Sequence, residues 1–347
     1  MKKKSILNLI KYYSENNDSA FRNEAYEIAR DFDASGDYQL SEYIVATLAN
    51  ANTFSPQLYN SDLKFFDKLE QSFEPLPLPE PIQKDIIGII NAVNHNIGIN
   101  KFLFQGAPGT GKTESVKQVA RLLNREVFCV NFDKVIDSKL GQTSKNISLV
   151  FEEVNSLSHP EKVLILFDEI DALALDRTSF NDIREMGRAT SSVLKGFDSL
   201  HQSIVLVATT NLFDNFDKAI LRRFDYIVDF NRYNQEDLKQ IAEIILDYYL
   251  TQFKEAGKNI KLFRKIIALS SSLPYPGELK NIIKTSLAFA SKGKYDYLKN
   301  LYSKFTNGKD IPSDCKILKK QKFTVREIEC LTGVSKSSVS RELQEKR

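Results

Sequence analysis

The chain has 347 residues, 42% apolar and 27% charged, with a formal net charge of +3. These values lie close to the average for soluble globular proteins and exclude a disordered tail protein, a collagen-like fibre and a disulfide-stapled secreted domain. The length predicts about two domains, or three if one is small.

The apolar run Val163–Phe167 falls far below the roughly 18–20 residues needed to cross a bilayer, so no membrane association is expected. The apolar stretch 6–10 behind Lys2, Lys3 and Lys4 is broken by Asn8 and is too short for a signal-peptide core. Cys129, Cys315 and Cys330 fit neither a disulfide framework nor a metal pattern. The expected location is cytoplasmic, with reduced thiols. His95, His159 and His201 stand apart from one another and from any Cys pair, so no zinc site is expected.

In chain order, residues 1–73 read as a helical N-terminal domain. Phe21, Ala25, Ile28 and Ala29 form one stripe, Gly36-Asp37 breaks it, and Leu40, Tyr43, Ile44 and Leu48 resume the spacing. Pro75, Pro77, Pro79 and Pro81 make 74–85 a Pro-rich linker, because proline removes donors and fixes φ. Residues 86–230 change character. Short apolar runs at 101–104, 126–131, 163–167, 203–208 and 226–230 alternate with helix-length segments, which predicts an α/β core with a parallel sheet sandwiched by helices. Residues 231–305 are helical, with patterns at 235–256, 260–271, 277–291 and 294–304. Residues 306–347 comprise a polar linker and a final helical pair at about 323–346.

Gly106-Ala107-Pro108-Gly109-Thr110-Gly111-Lys112-Thr113 fits G-x-x-x-x-G-K-[ST], between a strand-like run and a helical pattern that opens at Glu114. In that context the backbone N–H groups of a Gly-rich turn converge on phosphate oxygens. Gly106, Pro108, Gly109, Thr110, Gly111, Lys112, Thr113 and Glu114 are the candidate ATP-binding residues. Lys112 can reach the β/γ-phosphates, and the Thr113 hydroxyl can ligate Mg²⁺. The apolar run 163–167 ends in Asp168-Glu169, two carboxylates that would repel each other without a cation nearby. Asp168 therefore joins Thr113 as a candidate Mg²⁺ residue, and Glu169 is the candidate base for an attacking water.

These motifs, with Val207-Ala208-Thr209-Thr210-Asn211 and the run from Asp217 to Asp225, resemble an AAA ATPase of the branch that carries the second region of homology. The resemblance covers roughly 78–304. It implies that Asn211 positions the attacking water and that Arg222 and Arg223 form an arginine-finger pair reaching a neighbouring subunit. It also implies a hexameric ring and a helical lid over 231–305. Gly277 would let the backbone approach the adenine, and Lys280 stands where a second sensor charge can sit. Lys139 occupies the pore-loop position where many relatives carry an aromatic residue. The Asp-Ile-Gly-Gly pattern common ahead of the P-loop is missing, so Ile86 and Ile87 are expected to seat the adenine. The N-terminal bundle resembles that of bacterial AAA ATPases associated with subtilisin-like proteases. The implied function is Mg²⁺-dependent ATP hydrolysis that remodels a protein partner or substrate, with such a protease as one partner.

The segment 323–341 is similar to a helix-turn-helix, with Gly333 at the turn and Ser335 as the second helix's cap. Lys336, Ser337, Ser338 and Arg341 are then candidate DNA-binding residues. Glu329 stands where that motif usually packs a small residue and is expected to bend out to water. From Cys315 onward nine Lys/Arg face four Glu, a net +5, whereas the preceding 314 residues sum to −2. The alternative function is a DNA-binding ATPase acting in replication, transposition or transcriptional control.

Overall fold

The computed structural model describes residues 3–14, 18–48, 63–70, 74–136, 141–157, 159–173, 180–213, 217–291 and 293–344. The chain divides into two compact units, residues 1–62 and 63–347. No helix among the described residues is long and apolar enough to cross a membrane.

The first unit holds α1 (Lys3–Ser14), α2 (Asp18–Ala34) and α3 (Tyr38–Leu48). Ala25, Ile28 and Ala29 of α2 are buried, as the stripe requires, and Asn8 of α1 donates to Glu24 of α2 at 3.1 Å. Leu40, expected on the buried stripe of α3, is exposed.

The second unit opens with β1 (Phe66–Leu69), inside the stretch expected to be helical up to residue 73. Phe65 and Phe66 are buried, and β1 pairs antiparallel with the edge of the sheet, Phe66 opposite Val130. The Pro-rich segment is not a free linker. Leu78 is buried in the core, Leu76 packs against it, and α4 (Glu80–Asn94) starts within the segment. Pro81 suits the first helical turn, where its missing N–H would find no partner anyway.

The sheet is completed by β2 (Lys101–Gln105), α5 (Lys112–Leu122), β3 (Glu126–Val130), α6 (Phe132–Val135), α7 (Gln142–Asn155), β4 (Val163–Phe167), α8 (Phe180–Ser199), β5 (Val205–Thr210), α9 (Lys218–Leu221) and β6 (Tyr226–Asp229). Strand order is β1-β3-β4-β5-β2-β6, parallel except for β1. Both faces are covered, which is why β4 and β5 are buried along their whole length. On one face Ile82, Ile86, Val116 and Val119 of α4 and α5 pack against Phe102, Phe104, Leu164, Leu166, Val205 and Val207. On the other, Phe167 meets Phe151 of α7 and Phe197 of α8 with ring centroids 5.7 and 6.1 Å apart. Gly196 permits that approach, since a Cβ there would lie 2.0 Å from the Phe151 ring.

The helical C-terminal segment comprises α10 (Gln235–Gln252), α11 (Ile260–Ile267), α12 (Pro276–Ala288), α13 (Asp296–Phe305), α14 (Cys315–Lys320), α15 (Val325–Thr332) and α16 (Lys336–Gln344). Its core is continuous. Leu246, Phe263, Leu279 and Leu298 share one cluster with Cys315, Leu318, Phe323, Ile328, Leu331 and Val339. The final helical pair, expected as a tail behind a linker, and α14, which was not expected, complete the core of the four helices before them.

Candidate active site

The loop after β2 turns into α5 through Gly111, whose φ of 95° lies in the left-handed region that favours glycine. The Lys112 side chain folds back over this loop. Its Nζ donates to the carbonyls of Gly106 at 2.7 Å and Ala107 at 3.0 Å, and to Asn211 Oδ1 at 2.7 Å. Burial lowers the affinity of this ammonium for its proton, while Asp168, Glu169 and Asp171 oppose the shift.

One turn of side chains further, Thr113 Oγ1 donates to Asp168 Oδ1 at 2.9 Å. Thr209 Oγ1, from β5, donates to the same oxygen at 2.7 Å and accepts the Glu169 N–H at 2.8 Å. Asn211 Nδ2 donates to Glu169 Oε1 at 3.2 Å. Glu169 holds φ at 51°, a left-handed conformation that costs a non-glycine residue of order 1–3 kcal/mol. Two hydrogen-bonded chains thus converge on Glu169, one through Lys112 and Asn211, the other through Thr113, Asp168 and Thr209.

These residues floor a cleft of ≈ 290 Å³. Pro75, Leu76 and Pro77 form an apolar wall, and Ile245, Pro276 and Gly277 of the helical segment face it. Ile86 is buried in the core and Ile87 is exposed, and neither lines the cleft. Both lie on α4, and Pro75, Leu76 and Pro77 supply apolar lining instead. Gly277 lines the cleft and also touches the loop. Its N–H donates to Gly109 O at 2.8 Å, and a Cβ on it would lie 3.0 Å from Gly109 Cα, so it needs to be small for contact with the loop. Lys280 pairs with Glu74; burial alone would lower its pKa, but this hydrogen bond together with the Tyr249, Glu74 and Glu114 charges raises it on balance.

Glu114 lines the cleft and pairs with Lys117 at 2.8 Å. Arg222 is exposed at the end of α9, and Arg223 grips Asp198 with two bonds of 2.9 and 3.2 Å; neither lines this chain's own cleft. Lys139 lies outside the described residues. Lys336, Ser337, Ser338 and Arg341 are exposed on α16 and take no part in the cleft. Glu329 does not bend out to water. Its Oε1 accepts the Lys336 N–H at 2.9 Å and caps α16, an acceptor for a helix-end donor that otherwise has none.

Three residues at the site had no role assigned from the sequence: Thr209, within the motif that ends at Asn211, Asn231, which accepts the Ala107 N–H at 2.9 Å, and Tyr233, whose hydroxyl donates to Thr110 O at 2.7 Å. Burial pushes the Tyr233 phenol well above its ordinary pKa, so it remains a donor. Thr209-Thr210 did carry a signal, as hydroxyls that extend a buried strand towards Asn211. For Asn231 and Tyr233 no local pattern exists.

The donor set suits Mg²⁺. A hydroxyl and a carboxylate oxygen 2.9 Å apart are hard ligands, and among the described residues no group of three or more His, Cys, Asp or Glu forms a cage of its own. Such a site leaves room for substrate phosphates and water.

A phosphate-binding loop after β2, an acidic pair after β4 and an Asn after β5, the strand between them, define a P-loop nucleotide-binding domain. Residues 102–232 match the model of the ATPase family associated with various cellular activities (AAA), so the chain carries an AAA ATPase-family domain. It is 38% identical over 133 residues to an uncharacterised AAA family ATPase, y4kL, of Sinorhizobium fredii, covering 38% of this chain and 39% of that one. It is 26% identical over 248 residues to the vesicle-fusing ATPase of Dictyostelium discoideum, covering 68% and 32%. The chain thus spans less than two fifths of the length of these relatives. Among solved structures, a chain of the E. coli MS115-1 HORMA:CdnC:Trip13 complex superposes with a TM-score of 0.54 at 18% identity, over 75% of this chain and 99% of that one. The ADP complex of the FIGL-1 AAA domain also gives 0.54, at 15% identity, over 78% and 96%. At these identities the likeness concerns the fold alone.

Proposed function

We propose that this protein hydrolyses ATP to ADP and phosphate in an oligomeric ring and uses the cycle to remodel a protein partner. The observation that carries the reading is the direct hydrogen bonding of Lys112, Thr113, Asp168, Glu169 and Asn211 in one cleft. Lys112, now held by loop carbonyls and Asn211, would exchange those partners for β/γ-phosphate oxygens. Thr113 and Asp168 would hold Mg²⁺, whose charge offsets that of the phosphates. Glu169 takes the proton of a water whose oxygen bonds to the γ-phosphorus as the bond to the ADP oxygen breaks. Asn211, bonded to both Lys112 and Glu169, keeps that carboxylate aimed at the γ-phosphate position.

The helical segment acts as a lid, tied to the loop through Gly277. The ring reading rests on Arg222, exposed and away from its own cleft, as an arginine finger would be. Arg223 is committed to Asp198 and has the supporting part. Remodelling is proposed from likeness to a vesicle-fusing ATPase and to a chain assembled with a HORMA protein. A subtilisin-like protease as the partner rests on the N-terminal sequence resemblance alone.

The test is Glu169→Gln. It should bind ATP as the parent does while turnover falls by about 10²–10⁴. Hydrolysis at the parent rate would remove Glu169 as the base.

A further inference from the structure

The three helices α14–α16 carry a charge arrangement that the ATPase reading does not use. Seven described cations lie there: Lys316, Lys319, Lys320, Lys322, Arg326, Lys336 and Arg341. Among the described residues none of them forms an ion pair, and all but the half-buried Lys316 are exposed. Elsewhere on this unit some lysines are paired, among them Lys84 with Glu80, Lys117 with Glu114 and Lys258 with Asp247.

The carboxylates beside them are occupied by backbone donors. Asp314 accepts the Lys316 N–H at 2.8 Å, Glu329 the Lys336 N–H at 2.9 Å and Glu342 the Cys315 N–H at 3.0 Å. Glu327 accepts the Thr324 N–H at 2.7 Å and pairs with Lys265 of α11 at 2.6 Å. Every described acid is therefore bound to backbone or to the lid, while the basic groups are left to solvent. Seven cations against the four described carboxylates Asp314, Glu327, Glu329 and Glu342 leave this surface a net +3.

The backbone supplies a matching shape. α15 ends at Gly333, in the left-handed conformation at φ 77°, and three residues later α16 begins. Val339 anchors α16 from below, and Lys336, Ser337, Ser338 and Arg341 stand on its exposed side. A short turn between two packed helices, with the second presenting polar and basic groups, suits the major groove of duplex DNA. The unit is also rigidly mounted. It shares the lid's core, Lys265 donates to Lys322 O at 3.0 Å, and the Tyr302 hydroxyl donates to Gln321 at 3.0 Å.

We propose that α14–α16 form a duplex-DNA-binding unit built into the lid, with Lys336, Ser337 and Ser338 towards base edges and Arg341, Lys319, Lys320, Lys322 and Arg326 towards phosphates. DNA is then held by the same body whose Gly277 bonds the phosphate-binding loop.

The experiment measures binding of a fluorescent mixed-sequence DNA duplex to the full chain without nucleotide, from about 50 to 200 mM salt. Each phosphate contact contributes about 0.9 to the slope of log affinity against log salt. The full chain should bind with a steep negative slope, and Lys320→Ala with Arg341→Ala should flatten it by up to about 2 while ATP turnover without DNA stays unchanged. No binding at low salt, or an unaltered slope in the double variant, overturns the proposal. Displacement of the DNA by an equal charge of poly-glutamate also overturns it and points to an acidic protein instead. Because no nucleotide is present, failure of the hydrolysis reading would leave this result standing.

Discussion

The N–H of Gly277, at the start of α12, donates to the carbonyl of Gly109, in the middle of the phosphate-binding loop, at 2.8 Å. Residues 168 positions apart are thus joined by one backbone hydrogen bond across the mouth of the cleft. A Cβ on Gly277 would lie 3.0 Å from Gly109 Cα and 3.1 Å from its oxygen, with backbone rather than a flexible side chain in the way. Gly277→Ala should therefore push the lid off the loop at a cost of about 1–3 kcal/mol in the closed form. Nucleotide affinity should fall by about tenfold or more, with the thermal midpoint little changed. Equilibrium binding of a fluorescent ATP analogue checks this, and parent-like affinity would dissolve the link.

Thr209 is fully buried, and its one hydroxyl serves both Asp168 and the Glu169 backbone. Thr209→Val keeps the shape and removes both bonds. Turnover should drop about 10–100-fold, as for other groups that orient a metal-binding carboxylate, with ATP binding retained. Thr209→Ser should restore most of the rate. Equal rates in the Val and Ser variants would mean that the methyl group, not the hydroxyl, matters.

Arg222 and Arg223 should separate cleanly. Arg222→Ala is expected to cut turnover of the assembled protein by about 10³ or more, the range of arginine fingers in other phosphoryl-transfer systems. Arg223→Ala breaks a partly exposed pair with Asp198, worth about 1 kcal/mol or less, and should chiefly lower the thermal midpoint. Turnover measured against protein concentration distinguishes the two. A concentration-independent rate in the parent would argue against a ring.

Burial, reinforced by the nearby Asp168 charge, pushes the Cys129 thiol up to about 11 from an ordinary 9.0. The folded chain keeps a proton that the unfolded chain releases first, so this thiol's contribution to stability is full below about pH 9 and declines as pH rises towards 11. Urea unfolding across that range should show a steeper loss in the parent than in Cys129→Ala. Iodoacetamide at about pH 8 should leave Cys129 unmodified until the chain unfolds, because the thiolate is the reacting form.

The sheet was the most legible part of the molecule, and for a simple reason. β4 is apolar at every position because both of its faces are covered, so its limits in the sequence and in the structure coincide at Val163 and Phe167. β5 runs two residues beyond its apolar pattern, because Thr209 and Thr210 are buried with partners for their hydroxyls. β1 could not be read at all, since four residues with a mixed pattern acquire a strand only by pairing with β3, about sixty positions away. Proline spacing identified 74–85 as non-helical at its start, but not that Leu76 and Leu78 are drawn into the core. Motif spacing brought Lys112, Asp168, Glu169 and Asn211 into one account. The contacts of Asn231, Tyr233 and Gly277 depend on how the chain returns to the loop, which no local pattern encodes.

The shared core of α10–α16 also bears on how the chain is made. α10–α13 emerge first, with Phe263 and Leu298 shaped for neighbours such as Phe323 and Ile328 that have yet to be synthesised. Until residues 315–339 follow, part of that apolar surface stays uncovered, a condition in which nascent chains attract chaperones or one another. A premature stop beyond residue 305 would therefore cost more than the last helices. It would leave a nucleotide-binding sheet attached to a lid with part of its apolar surface bare.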